Sequence, residues 1–145
     1  MRKITAILTL LLCSVMVFAG KVLPNDITQL PDNAQKFIQM HFQKLVIQKI
    51  ELDEEILDAK IFEVKFTNGH QVGFDSKGVW VFVDCVEDPI PEKLIPMKIF
   101  QYIKTNFPGD FITQIVIEKN GYDIELQSDI SLKFDKKENF KSVDN

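Results

Sequence analysis

Histidine and cysteine each occur only twice in this chain of 145 residues, and tryptophan occurs once. Two histidines and two cysteines at these positions give none of the ligand spacings of a zinc site. There is no G-x-S-x-G, and Cys85 has no histidine near it in sequence, so a nucleophile with a base beside it leaves no signature. Basic charge is scarce as well. The 17 Lys and Arg are outnumbered by 21 Asp and Glu and interspersed with them, so no stripe exists to neutralise a phosphate backbone, and nucleic acid is not an expected partner. Aromatic ligand platforms are also poorly provided for. Twelve phenylalanines against two tyrosines suggest core filling instead.

Long apolar runs are absent except at the start. Met1-Arg2-Lys3 supplies a positive region, Ile4 to Phe18 is almost wholly apolar, and Val17-Phe18-Ala19 fits the small-residue rule before a cleavage point. The run is short for a membrane span and no stop-transfer pattern follows it. Residues 1–19 are therefore expected to be a secretory signal peptide, cleaved after Ala19 or one residue later, with no membrane span afterwards. Leu12 stands before Cys13 where a lipobox requires a small residue, which argues against lipidation. The expected location is periplasmic or secreted. Cleavage removes Arg2 and Lys3, so 17 basic residues become 15 against 21 acidic ones, a net charge of −6. It also removes Cys13. The remaining Cys85 then has no internal disulfide partner and is expected to be buried beside an apolar strand.

What is present is the same pattern written twice. An offset of 60 lays residues 62–84 on 122–144 without a gap. Phe74, Asp75, Lys77, Val83 and Asp84 fall on identical residues, and Phe62, Glu63, Val64, Phe66, Val72 and Trp80 on conservative ones. Upstream, an offset of 65 lays Pro31 on Pro96, Phe37 on Tyr102, Phe42 on Phe107 and Ile47 on Ile112. The change of offset places a loop of tolerant length near Asp53–Lys60. The expected organisation is a first repeat over 20–86 and a second over 87–145, packed as one unit.

Each repeat is expected to open with a helix, after Pro31-Asp32 and after Pro91-Glu92 or Pro96, with apolar residues at helical spacing. Four strands follow in each: 45–52, 61–67, 70–75 and 79–83, then 111–118, 122–127, 130–135 and 140–143. Asn68-Gly69, Ser76-Lys77-Gly78, Asn120-Gly121 and Ser128-Asp129 join them. Such short links make neighbours antiparallel. The class is α+β: a tandem repeat of helix plus four-stranded antiparallel sheet, together a curved sheet of about eight strands with helices on one face.

The alternation of residues assigns the faces. Ile50, Leu52, Phe62, Val64, Phe66, Val72, Phe74, Trp80 and Phe82 share the side expected to pack on the helices. The other side carries Lys49, Glu51, Glu63, Lys65, Gln71 and Gly73 in the first repeat, and Gln114, Asp123, Glu125, Ser131, Lys133 and Lys141 in the second. Val79, Val81 and Val83 would lie on that side too. They form either an apolar binding strip or a mid-sheet strand covered by its neighbours. His70 is expected at a strand end, facing inward or at the rim. Acidic runs at Asp53–Asp58 and Asp84–Glu92 lack the D-x-[DN]-x-[DN]-G calcium loop and read first as solvated turns.

The phrase Phe62-Glu63-Val64-Lys65-Phe66, Gly69, Phe74-Asp75-Ser76-Lys77-Gly78-Val79-Trp80, with the signal peptide and the repeat, resembles the PepSY-like proteins grouped with the β-lactamase-inhibitor-protein fold. These are small exported bacterial proteins, frequent in Bacteroidetes-type Gram-negatives. The second copy keeps the skeleton but has Asp129 and Glu138 in place of the turn glycines. The resemblance implies a concave sheet with helices outside it. It also implies a concave face that grips an enzyme in the namesake inhibitor, and a link to restraint of secreted peptidases. No inhibitory loop or catalytic residue transfers to this chain.

The functional expectation is a non-enzymatic exported binding module with no cofactor and no metal. Its partner would be a protein of the cell envelope or outside the cell. The face expected to meet that partner comprises Lys49, Glu51, Glu63, Lys65, Gln71, Val79, Val81, Glu125, Lys133 and Lys141. The alternative is an envelope protein that senses a small ligand or metal through its acidic loops.

Overall fold

The computed structural model describes residues 21–23, 25–53 and 59–144. The expected signal peptide and most of the Asp53–Asp58 run lie outside the described residues. The fold is α+β, built from antiparallel strands and two α-helices. Two compact units divide between Val83 and Asp84.

In the first unit, β1 (Lys21–Leu23) precedes α1 (Asp32–His41), β2 (Ile47–Asp53), β3 (Ile61–Phe66), β4 (Gln71–Phe74) and β5 (Trp80–Asp84), of which only the last residue falls past the division. β1 goes beyond the sequence expectation. Three residues carry too little pattern to be read as a strand, yet Lys21 to Leu23 pair antiparallel with Leu52 to Ile50. α1 begins where Pro31 fixes the backbone and leaves no N–H to satisfy. Phe37 from α1 meets Phe74 edge-on, with ring centroids 5.3 Å apart at 82°. Phe42, just past the helix, stacks on Phe66 at 5.6 Å. Ala34, Ile38, Ile50, Val64, Phe66, Val72 and Phe74 are buried between helix and strands.

The second unit runs α2 (Met97–Asn106), β6 (Ile112–Glu118), β7 (Gly121–Leu126), β8 (Ser131–Asp135) and β9 (Phe140–Asp144). Tyr102 of α2 meets Phe134 edge-on at 5.4 Å and stacks on Phe140 at 4.8 Å. Ile99, Ile103, Ile115, Ile124, Leu126 and Leu132 complete its core.

Local turn chemistry recurs between the units. Asp75 Oδ1 accepts from the N–H groups of Lys77 and Val79 at 2.8 and 2.9 Å. Asp135 Oδ1 accepts from those of Lys137 and Asn139 at the same two distances. Gly69 and Gly78 adopt positive φ of 93° and 79°, and Asp129 and Glu138, their aligned residues, adopt 65° and 64°. In both units this turn meets the start of a helix. Asn33 Nδ2 donates to Lys77 O at 3.1 Å, and the Lys98 N–H donates to Glu138 Oε2 at 3.2 Å.

Val86 is a third non-glycine residue at positive φ, 61°, and it is exposed. It sits in a turn closed by Asp88 N–H to Cys85 O at 2.9 Å. A β-branched residue there is strained. Val86→Gly is expected to raise stability by about 1 kcal/mol, less whatever glycine adds to unfolded-chain entropy. Urea unfolding checks it, and a midpoint below the native one would contradict the strain. Cys85 beside it is buried, and burial, with Asp84 and Asp88 adding to it, pushes its thiol up to about 12.

Candidate binding face

Antiparallel register sets the rows of side chains on the side of the first unit away from α1. Lys49 pairs with Lys65 and that with Gln71; Glu51 pairs with Glu63 and that with Gly73. Directly opposed residues point to the same side, so Lys49, Glu51, Glu63, Lys65 and Gln71 come together as the sequence places them. Lys49 and Glu51 form an ion pair. Lys65 Nζ bridges Glu51 at 3.7 Å and Glu63 at 3.5 Å.

The face is less open than expected. Glu51, Asp53 and Glu63 are 7%, 3% and 2% exposed, while Lys49 and Lys65 reach solvent with 40% and 26% of their side chains. Burial pushes the Glu63 carboxyl up to about 7. Lys65 opposes that rise, and Glu51 and Asp53 add to it.

Phe82 changes sides. A Cβ added to Gly73 would stand 2.1 Å from Phe82 Cε1. Gly73 faces Glu63, so the Phe82 ring covers the ionic side and not the helix side. Val83, fully buried, is removed from the expected exposed strip. A one-residue slip after Trp80 accounts for both, and the second unit has such a slip: Phe134 pairs with Phe140, but Lys133 pairs with Ser142. Alternation was carried through a bulge that reverses it. Of the remaining valines, Val81 is half-buried and Val79, exposed, belongs to the turn, where its carbonyl accepts from Asp75 N–H at 2.8 Å.

In the second unit the corresponding rows are Val116, Asp123, Lys133 and Ser142, then Gln114, Glu125, Ser131 and Asp144. Lys133 Nζ lies 3.6 Å from Asp123 and 3.7 Å from Asp144. Burial raises the Asp123 carboxyl, and Lys133 lowers it. Burial raises Glu118 too, with Asp123 adding to the rise. Lys141 is exposed in the slip of β9. Asp53, Phe82 and Asp144 are members of these faces that the sequence reading missed. Gly73 was the available signal for Phe82, because a glycine inside a strand marks close approach by a neighbour.

Elsewhere, a hollow of about 230 Å³ in the second unit is lined by Ile90, Ile95, Phe100, Ile103, Phe111 and Ile112 among others. Lys104 Nζ stands over the Phe100 ring, 4.8 Å from its centroid. His70, immediately before β4, is half-buried, as expected of a strand-end position. Among the described residues, no three His, Cys, Asp or Glu side chains are placed to hold a metal ion, and no helix is long and apolar enough to cross a membrane.

Antiparallel strands with a helix on one side and an ionic array on the other define a small α+β protein. Its relatives narrow that class. The family described as "Putative beta-lactamase-inhibitor-like, PepSY-like" matches residues 60–142, more than half of the chain. A Bacteroides thetaiotaomicron protein described as a "putative calcium-regulated periplasmic protein" is 37% identical, with a TM-score of 0.80, over 87% of this chain and 97% of its own. Two Bacteroides vulgatus proteins, each described as a "putative periplasmic protein", are 31% and 27% identical, both with TM-scores of 0.82. They cover 89% and 88% of this chain, and 99% and 100% of their own. No curated protein matches. The chain belongs to the PepSY-like family, and none of these descriptions names a catalytic activity.

Proposed function

We propose that this is an exported, non-catalytic binding module that meets a protein partner of the cell envelope or the extracellular space through the helix-free side of its strands. In this reading the chain is a tandem repeat, residues 1–19 are its signal peptide, and 20–86 and 87–145 are its two copies. The observation that carries it is the ion-paired array of Lys49, Glu51, Glu63 and Lys65, held in register on adjacent strands with two lysine heads reaching solvent. Charges fixed in this way give specificity and register to an encounter more than raw affinity. The relatives' periplasmic descriptions and the inhibitor-like family description support the same reading. A partner that is inhibited or modulated is its finer form.

Affinity capture from the organism's envelope fraction tests it. Val81→Asp combined with Lys65→Glu is expected to cut recovery of the partner at least tenfold. Lys36→Glu, on the exposed side of α1, is expected to leave it unchanged. Equal recovery by all three proteins would overturn the face.

A second reading is favoured by the calcium-regulated description of one relative: a divalent cation sensed through the acidic connections. The described residues do not fit it well. Asp84 Oδ1 already accepts from Val86 N–H at 2.7 Å, and among the described residues no three acidic side chains are placed to hold a metal ion. Calcium titration separates the readings, since a rise in Tm belongs to the second alone.

A further inference from the structure

Glu63 is enclosed on every side. Opposite it on β2 stands Glu51, with Asp53 on the diagonal and Lys49 in the next row. Opposite it on β4 stands Gly73, which has no side chain, and the Phe82 ring of β5 lies against that glycine. Gln71 is the next residue on the β4 side, and Asp84 lies two residues beyond Phe82 on β5. On β3 itself, Lys65 Nζ approaches Glu63 Oε1 to 3.5 Å, yet that oxygen makes no hydrogen bond and is sealed from solvent.

The second unit solves the same position differently. Lys133 stands where the first unit has Gly73, and its ammonium reaches Asp123. The first unit thus keeps the carboxyl, replaces the cross-strand cation with glycine, and fills the space with a phenyl ring. A sealed oxygen next to a second carboxyl cannot admit a hydrated ion or a partner's side chain without parting the strands. A proton can reach it.

We propose that Glu63, sealed opposite Glu51, is a proton-binding site that switches the charge of the helix-free face. A carboxylate held out of water beside Glu51 is costly to ionise, so Glu63 keeps a proton more readily than an open carboxyl does. Lys49 and Lys65 face Glu51, Asp53 and Glu63, so uptake of one proton takes this patch from −1 to neutral. Burial, Glu51 and Asp53 all push Glu63 upward and only Lys65 opposes them, which sets the switch near neutral pH. The consequence for docking rests on the reading of this face as the binding surface; the switch itself does not.

The sign follows from linkage. Glu63 holds its proton more tightly in the folded chain, about 7 against an ordinary 4.5, so its contribution to stability is fully present below 4.5 and is lost as pH rises through 7. Between pH 5 and 8.5 this group is expected to lower the folding constant roughly a hundredfold. Glu63→Gln should remove that fall, and Glu51→Gln should move the Glu63 midpoint downward. Carbon NMR of the Glu63 carboxyl in the native protein, assigned by its loss in Glu63→Gln, reads the midpoint directly and needs no partner. A midpoint near 4.5, or equal pH slopes for native and Glu63→Gln proteins, would overturn the proposal. Capture lost in the face variants with a midpoint near 4.5 would spare the docking reading. A midpoint near 7 with unaltered capture would spare the switch.

Discussion

Gly121→Ala is expected to cost about 3–5 kcal/mol and to lower Tm by roughly 10–20 °C. Gly121 opens β7 at φ +153°, and an added Cβ would stand 1.9 Å from Phe134 O and 2.9 Å from Asp135 Cα. These are backbone atoms of the strand paired with β7, since Gly121 lies opposite Asp135. No side chain can swing away to relieve the clash, so relief requires β7 and β8 to part. Gly109→Ala is the internal control. Its φ is +85°, but nothing lies within 4 Å of an added Cβ, so only the backbone term of about 1 kcal/mol applies. Thermal unfolding followed by circular dichroism compares them. Equal small losses for both variants would contradict the close approach of β8.

Phe74→Ala is expected to cost about 3–5 kcal/mol, the range for removing a buried aromatic ring. Phe74 is fully buried, paired across the strands with Phe62 and met edge-on by Phe37 of α1. Truncation would leave a cavity between helix and sheet that a rigid antiparallel pair cannot collapse to fill. The only tryptophan, Trp80, has its ring 6.1 Å from that of Phe37, so its emission should report the loosened packing. Phe140→Ala should cost less, about 1–2 kcal/mol, because Phe140 is 38% exposed and loses mainly its stacking on Tyr102. Urea midpoints order the two variants, and equal losses would contradict the burial assigned to Phe74.

Much of this was legible in the sequence because short-range chemistry carried it. Pro31 marks the first helix start, and Pro96, one of the two starts the sequence offers for the second helix, is the one that precedes Met97–Asn106. Asp75 and Asp135 are identical across the aligned segments because each holds two N–H groups of its turn. The ionic residues of β2 and β3 followed from strict alternation. Two kinds of fact escaped. Alternation fails after a bulge, so Phe82 and Val83 were assigned to the wrong sides. Periodicity also says which side a residue faces but not what covers it, so Glu51 and Glu63 were taken for open surface. The clue was the difference between Gly73 and its aligned Lys133: one leaves room for a ring, the other supplies a cation.

The helix-free face as the docking surface is the claim on which the functional reading rests. Amide chemical-shift mapping on the ¹⁵N-labelled protein, titrated with the captured partner, tests it most directly. Shifts are expected to concentrate at Lys49, Lys65, Gln71 and Val81, with Lys36, Gln39 and Met40 on the exposed side of α1 unmoved. Shifts concentrated on α1, with the four face residues unmoved, would contradict it.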